Sequence, residues 1–260
     1  MGAGDHVNDK ASLSMRISFV SLLTNLKHFS IYFSSKSLEE TKNVWRAADA
    51  VCFDIDSTVC MDEGIDELAK YVGTAEEVAA LTQQAMRGGI AFEDALRLRL
   101  RAIRPSMKLI NSFVASHPPR LTPHVSDLVC ALHKRDVPVY LISGGFCCIN
   151  EPVAKILEIP AQNVYCNRLK FYYNGDYAGF DESAPTARSG GKGEVVQFLK
   201  DKYEYKKVII IGDGVTDMEA SPPADAFIGF GGNQIRDHVK TGAKWFVTDF
   251  RDLINELQKT

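Results

Sequence analysis

The chain has 260 residues, 45% hydrophobic and 24% charged, with a formal net charge of −3. That is enough apolar material for a sizeable core, in one large domain or one domain carrying an insertion. The weak negative charge excludes a bulk electrostatic pull toward nucleic acid, so the expected partner is a small molecule.

Residues 1–36 differ in character from the rest of the chain. No acidic residue occurs between Ala11 and Lys36, and serines are frequent. Organelle transit peptides have this character, although Asp5, Asp9 and the scarcity of arginine depart from it. The apolar "ISFVSLLTNL" is too short to span a bilayer, so no membrane is expected. The segment is expected to be a poorly ordered extension or a targeting segment. The first reading gives a cytoplasmic location and the second an organelle. Ser37, with Glu40 three residues on, offers a capping box that opens a short helix.

From residue 50 onward, strand and helix patterns alternate. The expected strands are "AVCFDI" (50–55), "VPVYLIS" (137–143), "KVIIIGD" (207–213), "AFIGF" (226–230) and "KWFVTD" (244–249). Each is short, apolar and rich in β-branched or aromatic residues, and helical segments separate most of them. This predicts an α/β fold, a Rossmann-like, mainly parallel sheet with helices on both faces. "CNRLKFYYNGDYAGF" (166–180) reads as a β-hairpin turning at Asn174–Gly175. One connection is too long: Asp56 to Val137 is about eighty residues, where a crossover needs only about a dozen. The excess carries apolar residues at three- and four-residue spacing, punctuated by Gly73, Gly88–Gly89 and Pro105. A helical cap over 62–125 is therefore expected, inserted after the first strand of a core formed by 37–61 and 126–260. It should pack on itself and overhang the C-terminal end of that strand.

Of the six cysteines (Cys52, Cys60, Cys130, Cys147, Cys148 and Cys166) none forms a C-x-x-C pair. A disulfide framework is not expected at this length, and a reducing compartment fits better. Cys60 could be mistaken for a nucleophile, but no histidine lies nearby in sequence to activate it.

Ligands of open α/β sheets bind at the carboxyl ends of the strands. There this sequence has Asp54 and Asp56, then Ser143–Gly144–Gly145, then Asp213 with Asp217 a turn later, and Lys192 in the glycine-rich "ARSGGKGE". Clustered carboxylates call for a cation, and all-oxygen ligands point to Mg²⁺. Ser143 and the following glycines can offer a hydroxyl and bare N–H groups to a phosphate at a helix N-terminus. Lys192 adds a fixed positive charge. An aspartate nucleophile is already ionised at neutral pH, and a second carboxyl can move protons. Ile55 should point away on an extended chain, leaving the two carboxylates on one face. Taken singly, each piece is more often a solvated loop or turn; their joint occurrence at the strand ends, in a consistent order, is what points to phosphoryl transfer.

"DIDSTV", "LISGG", "SGGKG" and "IGDGVTDMEA" resemble, in order and spacing, the four motifs of the haloacid dehalogenase (HAD) superfamily. "DSTVCMDEGIDELAKY", "PTARSGGKGE" and "DMEASPPADAFIGFGGN" are similar to the phosphoserine phosphatase family within it, over about residues 38–250. The resemblance implies a HAD fold and Mg²⁺-dependent hydrolysis of O-phospho-L-serine, the last step of serine biosynthesis. It implies Asp54 as nucleophile and Asp56 as acid–base. Asp54, Asp213 and the backbone carbonyl of Asp56 would hold the metal, with Asp217 supporting. Ser143, Gly144, Gly145, Lys192 and Thr216 would bind phosphate. In the cap, Glu63 would meet the substrate's ammonium and Arg99 its carboxylate, with Met86 and Phe92 as apolar contacts that help closure. Arg236 matches a further position near substrate. Arg87, Ala91 and Cys147 stand where the family usually has glycine, proline and a basic residue, which bears on cap flexibility and affinity rather than on the reaction class.

Two other readings compete. A HAD phosphatase for another small phosphomonoester would not need Glu63 and Arg99. A receiver-like signalling module also forms an aspartyl-phosphate with Mg²⁺, but is smaller and lacks an inserted cap. A homodimer is compatible with the sequence, which does not fix the oligomeric state.

Overall fold

A helix over residues 37–46 (α1) leads into Ala50–Phe53 (β1), four apolar residues with no solvent exposure. The computed structural model describes residues 37–86 and 89–259; the expected extension 1–36, Arg87 and the side chain of Met86 lie outside the described residues. Thr41–Thr260 form one compact unit. After β1 the chain makes a single π-type turn at Ile55–Val59, then four helices: α2 (Gly64–Val72), α3 (Ala75–Met86), α4 (Phe92–Ile103) and α5 (Met107–Ser116). Next come α6 (Val125–His133), β2 (Val139–Phe146), α7 (Cys147–Ile156), β3 (Val164–Asn167), β4 (Leu169–Phe171) and β5 (Tyr177–Phe180). The chain finishes with α8 (Gly191–Tyr203), β6 (Val208–Gly212), α9 (Val215–Met218), β7 (Ala226–Phe230), α10 (Asp237–Gly242), β8 (Trp245–Val247) and α11 (Phe250–Leu257).

The main sheet has six parallel strands in the order β3-β2-β1-β6-β7-β8. β1 is central because its residues can be buried on both faces, as parallel sheets require. Register places the site: Phe53 lies beside Leu141 of β2 and Ile211 of β6. Asp54, Ser143 and Asp213, one or two residues beyond these positions, are therefore brought together toward the C-terminal ends of the central strands.

The helices α2–α5 build a core of their own from Leu68, Ala69, Val78, Ile103, Ile110 and Phe113. Burial of each of the larger side chains in this set is worth roughly 1.5–3 kcal/mol. That cluster also meets Ile149 of α7 and Leu169 and Phe171 of the hairpin, so the bundle is seated beside the strand ends. The two segments joining it to the sheet touch each other through an antiparallel bridge between Cys60 and Leu121. Arg120 and Asp62 form an ion pair beside it.

Four expectations are corrected. β1 stops at Phe53 rather than Ile55, so Asp54 and Asp56 are carried by a turn, not by extended strand. β2 runs on through Gly144 and Gly145 to Phe146, with a register irregularity against β3 that lets the glycine pair remain in the strand. Cys166 belongs to β3, a parallel edge strand, and the hairpin begins only at Leu169; its turn does fall at Asn174–Gly175. Finally, Cys147 and Cys166 are disulfide-bonded, with Cα atoms 5.2 Å apart, within the range such a bridge needs. The pairing of Phe146 with Asn167 brings these neighbours together, a proximity that linear spacing does not reveal.

Candidate active site

Asp54 follows β1 directly, and its own N–H is bonded to Ile211 O of β6 (2.9 Å). Its Oδ1 accepts from the N–H of Ile55 (2.8 Å) and from Lys192 Nζ (2.8 Å). Lys192, the second residue of α8, also donates to Asp217 (2.7 Å). Burial works against the charge of Lys192, but Asp217 and Asp54 outweigh it and raise its pKa. Asp217 in turn accepts from the N–H of Gly214 (3.1 Å). A Cβ at Gly212 would stand 2.2 Å from the Asp217 carboxyl carbon, so the last residue of β6 can only be glycine if Asp217 is to fold back over it.

The π turn swings Asp56 away from Asp54, with Ser57 at φ 54° taking the strained position. Asp56 Oδ1 accepts from the N–H of Gly64, the first residue of α2 (2.7 Å), and Oδ2 accepts from Ser143 Oγ (3.2 Å). Burial, then the charge of Asp54, pushes the Asp56 carboxyl up to about 6 against those two donors. Ser143 is fully buried within β2, three residues before its end, and its Oγ accepts from Gly145 N–H (2.8 Å). The helix α7 starts only at Cys147, so Ser143 does not sit at a helix N-terminus and the Gly145 N–H is engaged rather than bare. A Cβ on Gly145 would lie 2.9 Å from Asp56 Oδ2 and 3.0 Å from Ser143 Oγ, which makes the closeness of these groups depend on that glycine.

Asp213 accepts from Thr58 Oγ1 (3.2 Å) and Arg236 Nε (2.6 Å). Burial and Asp54 raise its pKa while Arg236 opposes them. Asp54, Asp213 and Asp217 each offer a carboxylate oxygen, all within 4.8 Å of one another and all buried. An all-oxygen set of this kind fits a hard divalent cation. The Asp56 carboxylate is not in the cluster, being turned to Ser143 and Gly64.

Glu63 accepts from Ser57 Oγ (2.8 Å) and Arg236 (3.0 Å), and burial, then Asp56, pushes it up to about 7. Arg236 thus bridges Glu63 and Asp213. The Arg99 guanidinium, on α4, donates to the Ala95 carbonyl (3.3 Å) and feels the charges of Asp66, Glu63 and Asp56; burial lowers its pKa. Among the described residues it makes no ion pair. The Phe92 ring lies 3.0 Å from where a Cβ of Gly144 would be, so α4 rests on the end of β2. Thr216 is the second residue of α9, with its Oγ1 near Gly214. The sequence-derived residues fall into three bonded groups, Asp54–Lys192–Asp217, Asp56–Ser143 and Asp213–Arg236–Glu63, and the carboxylates of Asp54, Asp213 and Asp217 bring the first and third within 4.8 Å of each other. Cys60 is buried and its thiol is pushed up to about 12 by burial, as befits a packing residue rather than a nucleophile.

Several polar residues here have no motif to announce them. Asn167 donates to the carbonyls of Gly144 (2.8 Å) and Thr186 (3.3 Å) and accepts from Thr186 Oγ1 (2.8 Å), linking the end of β2 to the loop before Lys192. Asn150 of α7 is buried beside Gly145 with its amide nitrogen unpartnered. Asn233 comes after the "GG" that follows β7 and reaches into the π turn. An asparagine next to a strand end was the available signal in two of these cases.

A buried carboxylate fixed by a lysine, a second carboxyl raised to about 6 and a cluster of carboxylates able to hold a cation, at the ends of parallel strands, fit a hydrolase built for phosphoryl transfer. A family model for haloacid dehalogenase-like hydrolases matches residues 48–225. Phosphoserine phosphatase of Mus musculus is 57% identical over 223 residues, 86% of this chain and 99% of the relative. The chloroplastic phosphoserine phosphatase of Arabidopsis thaliana is 47% identical over 84% of this chain and 75% of its own length. A solved phospho-aspartyl intermediate analogue of phosphoserine phosphatase superposes with a TM-score of 0.70 at 24% identity, over 81% of this chain and 99% of that one. The chain belongs to the phosphoserine phosphatase family of haloacid dehalogenase-like hydrolases.

Proposed function

We propose that this chain hydrolyses O-phospho-L-serine to L-serine and phosphate, the last step of serine biosynthesis, with Mg²⁺. The observation that carries the reading is Asp54 held 2.8 Å from a buried lysine while Asp56, two residues on, is turned to a separate set of donors. Asp54 attacks phosphorus, forming an Asp54 Oδ–P bond as the ester P–O bond breaks. Asp56 delivers its proton to the departing serine oxygen. Water then attacks the aspartyl-phosphate, gives a proton back to Asp56 and frees Asp54. A carboxyl near pH 6 suits both proton transfers. Asp54, Asp213 and the Asp56 carbonyl would hold Mg²⁺, with Asp217 supporting; the ion supplies neutralisation of phosphate charge. Ser143, Gly144, Gly145, Lys192 and Thr216 orient the phosphate, and Glu63 and Arg99 read the ammonium and carboxylate. Phe92, with Met86 and Arg236, helps enclose the substrate. Helices α2–α5, within 62–125, would act as the cap.

Asp54→Asn should abolish phosphate release, and chelation should abolish it reversibly. Normal turnover by that variant would sink the assignment. A panel of phosphomonoesters tests the alternative: equal kcat/KM for phosphoserine and sugar phosphates would favour another small substrate. Among the described residues no helix is long and apolar enough to cross a membrane. The proposed location is cytoplasmic; the chloroplastic relative favours the organelle reading as the alternative, and N-terminal sequencing of the native protein distinguishes them.

A further inference from the structure

The loop between β7 and α10 grips the site at two places. Arg236 takes Asp213 and Glu63. Three residues earlier, Asn233 Nδ2 lies 3.1 Å from Ser57 O, 3.3 Å from Cys60 O, 3.5 Å from Thr58 O and 2.6 Å from Thr122 Oγ1. Three of these oxygens belong to the segment that leaves Asp56 for α2, and the fourth to the segment that returns from α5. The two segments are already bridged at Cys60 and Leu121, and the N–H of Thr122 bonds Val59 O (2.9 Å). Thr122 Oγ1 donates to Thr58 O (2.6 Å), and Thr58 Oγ1 donates to Asp213 (3.2 Å). An amide nitrogen is donor-only and carries two protons, which suits Thr122 Oγ1 and Ser57 O, the two shortest of these contacts, with Cys60 O and Thr58 O beside them.

We propose that Asn233 is a positioning residue for the reaction, clamping both segments that connect α2–α5 to the sheet so that the turn carrying Asp56 and the carboxylate of Asp213 keep one fixed relation. This rests on the proposed phosphatase reading for its kinetic arm only. A displacement of about 1 Å in such a constellation is worth about 10²-fold in rate.

The test compares Asn233→Ala, Asn233→Asp, Thr122→Val and the Asn233→Ala/Thr122→Val double variant in the full chain. For phosphoserine, Asn233→Ala should lower kcat roughly 10- to 100-fold with KM changed less than about 3-fold. Asn233→Asp, which sets a carboxylate against the four oxygens, should be worse than alanine. The double variant should be no worse than Asn233→Ala alone, since both sever one network. Hydrogen exchange should rise at 57–62 and 117–124 while the β7 amides stay protected, a readout that needs no catalysis. Should Asn233→Asp not fold, Asn233→Ala and Thr122→Val carry the test. Unchanged kcat, additive losses or unchanged exchange in folded variants would each overturn the clamp. An inactive parent whose variants still show the local exchange would overturn the phosphatase reading and leave the clamp standing.

Discussion

Asp56 binds its proton more tightly in the folded protein than in the unfolded chain, because burial and Asp54 raise its pKa to about 6. The folded state therefore holds more protons between about pH 4 and pH 6, and metal-free stability falls as pH rises through that window. The shift alone amounts to roughly 3 kcal/mol, which the partial exposure of the group reduces to about 1–2 kcal/mol. Asp56→Asn should thus be more stable than the parent in metal-free protein at pH 7.5, and the gain should vanish below about pH 4. Thermal denaturation at both pH values measures it; an equal gain at both would contradict the electrostatic account. The same variant should lose turnover, since an amide cannot shuttle a proton. Stability and chemistry oppose each other at this one side chain.

The contact between α4 and β2 rests on Gly144, over which the Phe92 ring lies. Gly144→Ala would push a methyl into that ring and lift α4. Its expected effect is a KM for phosphoserine raised about 10-fold with kcat changed far less, because the carboxylates proposed to react lie on other elements; steady-state kinetics reads the split. A second tie joins α7 to β3 through Cys147 and Cys166, closing a sequence separation of 19 residues. Loop-closure entropy puts such a bridge at about 3 kcal/mol. Cys147→Ser should lower denaturation midpoints accordingly under oxidising conditions, and a thiol reductant should erase the difference from the parent. Neither tie was fully legible in the sequence. Asp54, Ser143 and Asp213 could be expected together because each ends or adjoins an apolar run and strand ends converge, and Lys192 was marked by the glycines around it. The disulfide could not, because it depends on the Phe146–Asn167 register. β3 was hidden for a related reason: it is an edge strand of four residues, half of them partly exposed, so "VYCN" lacks the apolar run of its neighbours. Asn233 and Thr122 bond backbone oxygens in a turn with no regular period, and no spacing rule points to such contacts.

At the scale of the whole molecule, the helices α2–α5 interrupt the chain between neighbouring strands. Val51 of β1 pairs with Val139 on one side and Ile209 on the other. The central strand thus lacks its second neighbour until most of the chain exists. Contacts this distant close large loops first and are repaid late, which slows folding and exposes apolar edges meanwhile. A fragment ending at residue 205 lacks β6, β7 and β8, so the β1 edge is left unpaired and the backbone partner of Asp54 at Ile211 is missing. It should show no cooperative unfolding by circular dichroism; a sharp transition in that fragment would refute this view. On the ribosome, then, the residue proposed to attack phosphate is translated early and waits through some 150 further residues for the strand that fixes it, an interval that about 5–20 residues per second stretches to roughly ten seconds or more. Through that interval one edge of a strand that ends wholly buried has no partner, and proteins that shield apolar nascent segments would have there a natural point of engagement.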